Sequence, residues 1–144
     1  VRLVLPYPPS VNHYWRSYRG RVVLSADGRA FRKDVCDLLA TAPALGGNGP
    51  RKPPSGGRIA LGMDAFPPDR RRRDLDNLQK GALDALEHAG VYEDDSQIDL
   101  LFARRREVTK PGRIEVQIDE FPLSRCPLCH GPYPPTDPFR PEDN

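Results

Sequence analysis

The amino-acid sequence predicts a single α+β domain, a small mixed or antiparallel sheet with two helices packed on it. Three observations lead there. Ile59, Leu61 and Met63, and again Ile114, Val116 and Ile118, alternate with smaller or polar neighbours at the period of a strand. Two longer stretches, near residues 26–42 and 76–88, place apolar residues at helical spacing instead. The predicted order is strand, strand, helix, strand, helix, strand, strand, and 144 residues suffice for one core.

The opening VRLVLPYPPS starts as a strand over Arg2–Leu5 and is stopped by Pro6, Pro8 and Pro9. GRVVLS reads as a second short strand. Ser25 or Asp27 is placed to cap the first helix, which carries Phe31, Val35, Leu38 and Leu39 on one side. PALGGNGPRKPPSGG has little to bury and reads as a flexible loop. RIALGMDAF is the third strand, ended by Pro67 and Pro68. After the second helix, QIDLLFARRREV and GRIEVQIDEF supply the last two strands. The TKPG turn between them is expected to make a half-buried antiparallel hairpin, with Glu115, Gln117 and Asp119 facing outward. From Pro122 onward the chain is proline-rich. The expected organisation is therefore a domain over 1–121 followed by a disordered tail over 122–144.

Composition narrows the function classes. Apolar content of 38% with 29% charged residues suits a soluble globular protein. The longest apolar run falls far short of the roughly 20 residues a membrane span needs. No basic-then-apolar leader opens the chain, so a cytoplasmic protein without a membrane partner is expected. The formal charge is only +2, so any nucleic-acid role must come from uneven charge distribution. Arginine outnumbers lysine 18 to 4, which fits either a GC-rich genome or a use for planar forks that grip phosphate. Three cysteines, two of them in one CxxC, do not make a disulfide framework. Cys126, Cys129 and His130 resemble half of a zinc site that lacks its remaining ligand, and zinc binding there stays open.

The stretch DRRRRDLDNLQKGALDALEHAGVYEDDSQ, from Asp69 to Gln97, crowds four arginines against a group of carboxylates. At about 100° per residue, Leu78, Ala82, Ala85, Leu86 and Ala89 form one apolar stripe, with Asp76, Lys80, Asp84 and Glu87 on the opposite side. Gly90 is a natural terminator. If the next strand pairs near the strand preceding this helix, the Asp94–Asp95 loop and Asp74 lie at the same sheet end. Three or more carboxylates then converge, and they repel unless a cation neutralises them. Oxygen-only ligands favour Mg²⁺ or Mn²⁺. Such an ion can polarise a phosphoryl oxygen and lower the pKa of an attacking water. Lys80 sits one turn after Asp76, within reach of the same phosphate, and Arg70, Arg71, Arg72 and Arg73 supply the backbone grip. Taken singly, plainer roles stay open. Asp74 or Asp76 would cap the helix, with Asp76 and Gln79 as a capping box. Lys80 would pair with Asp76 or Asp84 on the helix face, and the arginines would form a solvated loop.

The pattern D-x-D-N-x-x-K, then D-x-L, then G, then D-D-x-Q in this stretch resembles the core motif of the RusA-type Holliday-junction resolvases. LPYPPSVNHYWR and GRVVLSADGRAFRKDV resemble the same family in the same order, so the likeness covers residues 1 to about 120. The resemblance implies a small homodimeric, Mg²⁺-dependent endonuclease that nicks two opposing strands of a four-way DNA junction. Its implied metal ligands are Asp74, Asp76 and Asp95, with Asp94 the adjacent alternative, and its implied catalytic lysine is Lys80. Asn77 lies within the motif and joins the expected DNA contacts. A closed dimer presents two equivalent sites to the two equivalent strands of a junction.

NHYWRSYRGR interleaves Tyr14, Trp15 and Tyr18 with Arg16, Arg19 and Arg21. In one reading aromatics such as Tyr14 stack on bases opened at a branch point, while Arg16 and Arg19 hold phosphates. In the other, a proline-started loop folds its aromatics into the core. Arg104, Arg105 and Arg106 form a second basic run on a strand, where alternation leaves at most two on the DNA side. The expected function is metal-dependent junction resolution in a bacterial host, with a phage or prophage origin in view. The rivals are a Mg²⁺ nuclease for flaps or other branches, and a junction-binding protein that does not cut.

Overall fold

The computed structural model describes residues 1–41, 57–121 and 131. Its elements are β1 (Arg2–Pro6), α1 (Val11–Tyr14), β2 (Trp15–Tyr18), β3 (Arg21–Leu24), α2 (Ala26–Thr41), β4 (Ile59–Phe66), α3 (Asp76–His88), β5 (Ile98–Arg105) and β6 (Arg113–Glu120). A 3-10 turn, Asp95–Gln97, leads into β5. The main sheet runs β1-β6-β4-β5, and β2 and β3 form a separate two-stranded ribbon. β6 lies antiparallel to both β1 and β4, while β4 and β5 are parallel.

The inward residues of the sheet are those whose alternation marked the strands. Leu3 and Leu5, Ile59, Leu61 and Met63, and Ile114, Val116 and Ile118 are buried in one cluster with Phe31, Val35 and Leu39 of α2 and Leu78, Ala82, Ala85 and Leu86 of α3. Two helices packed on a mixed sheet are the expected architecture. Leu38 departs from its expected place, being 44% exposed on α2. The Ser25 cap is present, since its Oγ accepts the Gly28 backbone N–H at 2.9 Å. Helix α3 ends as expected at Gly90, whose φ of 74° is the left-handed conformation that glycine takes without a Cβ clash. The Val91 N–H bonds the Leu86 carbonyl at 3.0 Å and the Gly90 N–H bonds the Glu87 carbonyl at 2.8 Å, the two bonds of a Schellman cap.

The expected hairpin of the last two strands is not formed. β4 lies between β5 and β6 and pairs with both. A parallel β4–β5 pair needs a crossover connection, and α3 supplies it, leaving β6 to fill the slot between β4 and β1. The sequence also concealed α1 and β2, four residues each. The β2–β3 ribbon closes through Arg19 (φ 49°) and Gly20 (φ 74°), the paired positive φ values of a two-residue hairpin turn. Most of the loop PALGGNGPRKPPSGG falls outside the described residues. So does the tail expectation, with Cys126, Cys129 and His130.

Candidate active site

The loop between β4 and α3 sorts the four arginines. Asp69 takes a bidentate pair from Arg73, Nη1 to Oδ1 at 2.5 Å and Nη2 to Oδ2 at 3.0 Å. It also accepts the Arg71 N–H at 2.9 Å, with Arg71 Nε 3.7 Å from Oδ2. The Arg73 hydrogen bonds, and then the Arg71 backbone bond, hold the Asp69 carboxyl well below the usual carboxylate range. Arg73 also lies over the Tyr7 ring, 5.7 Å from its centroid, and Arg105 donates to the Arg73 carbonyl. Arg71 and Arg73 therefore build the loop. Arg70 and Arg72 have no hydrogen-bond or ion-pair partner among the described residues and are exposed, which leaves two forks for phosphate. Beside them a cleft of about 490 Å³ opens between the Pro8–Pro9 turn and the start of α3, with Asn12, His13, Arg72, Asp74 and Asn77 among its walls.

The plain capping role of Asp74 and Asp76 is not used. The residue before α3 is Leu75, and no side chain caps the helix. Asp74 accepts a 3.4 Å bond from Asn77 Nδ2, while Asp76 and Lys80 are exposed and their side chains make no hydrogen bond among the described residues. The capping box of the chain lies elsewhere. Asp94 accepts the Ser96 N–H at 2.8 Å, and Gln97 Oε1 accepts from the Glu93 and Asp94 N–H groups at 2.7 and 3.3 Å. The Ser96 hydroxyl and then the Ser96 N–H lower the Asp94 pKa. Asp94 thus shapes the turn that presents Asp95.

Asp95 comes to the other end of the acidic helix face. Carboxylate oxygens of Asp84, Glu87 and Asp95 lie within 4.8 Å of one another and can hold a metal ion. Burial raises the Asp84 pKa against the pull of Lys80 and Arg32, and Asp95 raises it further. Burial, then Asp95, Asp94 and Asp84, raises Glu87. Asp84 Oδ2 is buried without a hydrogen-bond partner. An unsatisfied carboxylate oxygen among mutually repelling carboxylates fits a cation, and an all-oxygen donor set fits a hard divalent one. The sequence placed Asp84 and Glu87 on the acidic face. Their meeting with Asp95 required the fold-back after Gly90, which no local pattern encodes.

One conditional expectation is not met within a protomer. Because β4 and β5 run parallel, the loop leaving β4 with Asp74 and the turn entering β5 with Asp95 lie at opposite strand ends. Asp76 precedes Asp84 by eight residues, about 12 Å along a helix axis. No cluster of three acidic donors among the described residues includes Asp74 or Asp76.

The aromatic segment divides likewise. Tyr14 is 0% exposed, with its ring edge-on to Trp15 and Phe31 (centroids 5.2 and 6.4 Å apart) and its hydroxyl accepting from Arg32 Nε at 3.0 Å. The stacking reading of Tyr14 is thereby corrected, because a ring enclosed by Trp15, Phe31 and the Gly81 position of α3 has no face left for a base. Tyr18 is 52% exposed instead, at the ribbon tip, with the exposed Arg16 and Arg19 guanidinium carbons 5.7 and 5.3 Å from its ring centroid. Of the second basic run, Arg104 pairs with Asp64 (2.7 and 2.9 Å) and Arg105 is held by the Arg73 carbonyl.

Carboxylates able to hold a hard cation, on a helix headed by unpaired arginines, are the working parts of metal-assisted nucleases acting on phosphodiesters. The chain belongs to the RusA endodeoxyribonuclease family, whose description "Endodeoxyribonuclease RusA" matches residues 6–119. It is 42% identical over 119 residues to the crossover junction endodeoxyribonuclease RusA of Escherichia coli K12, covering 83% of this chain and 93% of the relative. The Shigella sonnei protein of that name is equally similar, and that of Enterobacteria phage 82 is 41% identical over the same length. No helix among the described residues is long and apolar enough to cross a membrane.

Proposed function

We propose that this chain is a Mg²⁺- or Mn²⁺-dependent endodeoxyribonuclease that resolves four-way DNA junctions as a homodimer, in the cytoplasm of a bacterial host and encoded by its chromosome, a prophage or a phage. One observation carries the reading. In a member of the RusA family, unpaired Arg70 and Arg72 in the loop before α3 lead to Asp76 and Lys80 on the helix, and the helix ends at the Asp84–Glu87–Asp95 carboxylates. When bound there, a divalent ion would polarise the phosphoryl oxygen and acidify the attacking water. Asp95 would hold that ion with Asp84 and Glu87, and Asp74 and Asp76 would supply further oxygen ligands. Lys80 directs its ammonium at a non-bridging phosphate oxygen. Arg70, Arg72 and Asn77 bind the flanking backbone, and the Arg16–Tyr18–Arg19 tip reaches an arm of the junction. Water adds to phosphorus, the bond to the 3′ oxygen breaks and that oxygen takes the proton, leaving a 5′-phosphate and a 3′-hydroxyl.

The 12 Å separation along α3 has a consequence for assembly. A two-fold axis perpendicular to α3 near its middle would run two copies antiparallel and bring Asp76 of one toward Asp95 of the partner subunit. Asp74 and Asp76 of one protomer would thus meet the Asp84–Glu87–Asp95 group of the other. The domain is taken to span residues 1–121, with the tail outside it.

The test uses labelled four-way junction, linear duplex and flap, with and without Mg²⁺. Paired symmetric nicks in the junction alone, dependent on the ion, are expected. Flap cleavage of equal rate would move the substrate class to other branches. A gel shift without cleavage in Mg²⁺ or Mn²⁺ would make the chain a binding protein.

A further inference from the structure

The residue that places Asp95 is buried beneath the acidic face. Tyr92 is 1% exposed, two positions past the Gly90 helix stop. Its hydroxyl carries one proton and faces two acceptors, the Leu83 carbonyl of α3 at 2.9 Å and Asp95 Oδ1 at 3.0 Å. The phenol thus joins the body of α3 to the turn after it. The Asp95 carboxylate makes no other hydrogen bond among the described residues, so Oδ2 is free while Oδ1 is held. A short aspartate on an exposed turn would otherwise sample several rotamers. A fixed donor on one oxygen sets the plane of the carboxylate toward Asp84 and Glu87.

We infer that Tyr92 is a positioning residue for the metal centre, its hydroxyl fixing Asp95 in the orientation that binds the divalent ion. The inference rests on Asp95 being a ligand, as proposed above. Tyr92 is not itself a ligand or a catalytic residue, since its hydroxyl reaches the ion only through Asp95. The ring packs the core, and the hydroxyl ties Asp95 to the Leu83 carbonyl of α3.

Tyr92→Phe in the full chain separates the two roles, with Tyr92→Leu as the packing control. Binding of Mn²⁺ alone is read by electron paramagnetic resonance, thermal unfolding is read on the metal-free proteins, and junction cleavage is titrated with Mg²⁺. Tyr92→Phe is expected to weaken Mn²⁺ binding about tenfold or more. The Mg²⁺ concentration for half-maximal cleavage should rise by a similar factor, with most of the rate recovered at saturating Mg²⁺ and the melting temperature lowered by no more than the loss of one buried hydrogen bond accounts for. Tyr92→Leu should lower the melting temperature as well. Mn²⁺ affinity within twofold of wild type in Tyr92→Phe would overturn the inference. Asp95→Asn is run alongside. If it leaves Mn²⁺ binding intact, the ligand assignment fails and the role of Tyr92 falls with it; if it weakens binding while Tyr92→Phe does not, the positioning role alone is refuted.

Discussion

A pair of single variants tests whether the acidic site is completed between protomers. Asp76→Asn is placed in one differently tagged chain and Asp95→Asn in the other, and the mixed dimer is purified by both tags. If Asp76 and Asp95 are ligands, each homodimeric variant lacks one at both sites and should not cut. The geometry makes the mixed dimer different. Asp76 is eight residues from Asp84, about 12 Å along α3, whereas Asp95 lies within 4.8 Å of Asp84 and Glu87. If Asp76 serves the partner's Asp95, one site of the mixed dimer collects both substitutions and the other collects neither. One of two sites then survives, so the initial nicking rate should be about half that of wild type. The products should be single nicks, because resolution needs both strands cut. The assay is a denaturing gel of a junction labelled on each strand in turn, in Mg²⁺. A mixed dimer as inactive as its two parents would refute the shared arrangement, since sites built within one protomer would each be broken.

Other consequences follow from the same contacts. Arg72→Ala should weaken junction binding and lower the slope of log affinity against log salt by about 1, while Arg73→Ala should lower the melting temperature, because Arg73 holds Asp69 and covers Tyr7. Leu86→Ala, at a side chain with 0% exposure between α3 and the sheet, should cost about 2–5 kcal/mol of stability in chemical denaturation. Asp69 has its pKa depressed in the folded state, so its stabilisation is fully present above its ordinary pKa of 3.8 and is lost as pH falls below that value. Wild type and Asp69→Asn should therefore differ in melting temperature at pH 6, and the difference should shrink steadily as acid is added below pH 4.

What the sequence revealed and what it hid divide along one physical line, the range of the interaction. Ile114, Val116 and Ile118 announce their strand because burial on one sheet face imposes a period of two on neighbouring residues. Leu78, Ala82, Ala85 and Leu86 announce α3 for the same local reason. Sheet order is decided by distant segments. The TKPG turn joins β5 to β6 in the chain, yet the buried two-faced strand β4 takes the place between them. The family motif marked Asp74, Asp76, Lys80 and Asp95 in a line but not which of them share a point in space. That depended on the direction of β5 relative to β4. The arginine run looked uniform until Asp69, one residue upstream, took two of its members into the loop. Tyr14 and Tyr18 belong to one aromatic segment, and only packing against Phe31 separates the core ring from the surface one.

Helix α3 acts as a calibrated spacer. Its 13 residues separate the loop that carries the unpaired guanidinium groups from the end where the acids cluster. Inserting a single residue near its middle would swing one end about 100° relative to the other and lengthen the gap by about 1.5 Å. The surface would then address the wrong stretch of sugar–phosphate chain with every functional group still present. Homologous chains should tolerate changes of length in the connection from α2 to β4 far more readily than in this one helix.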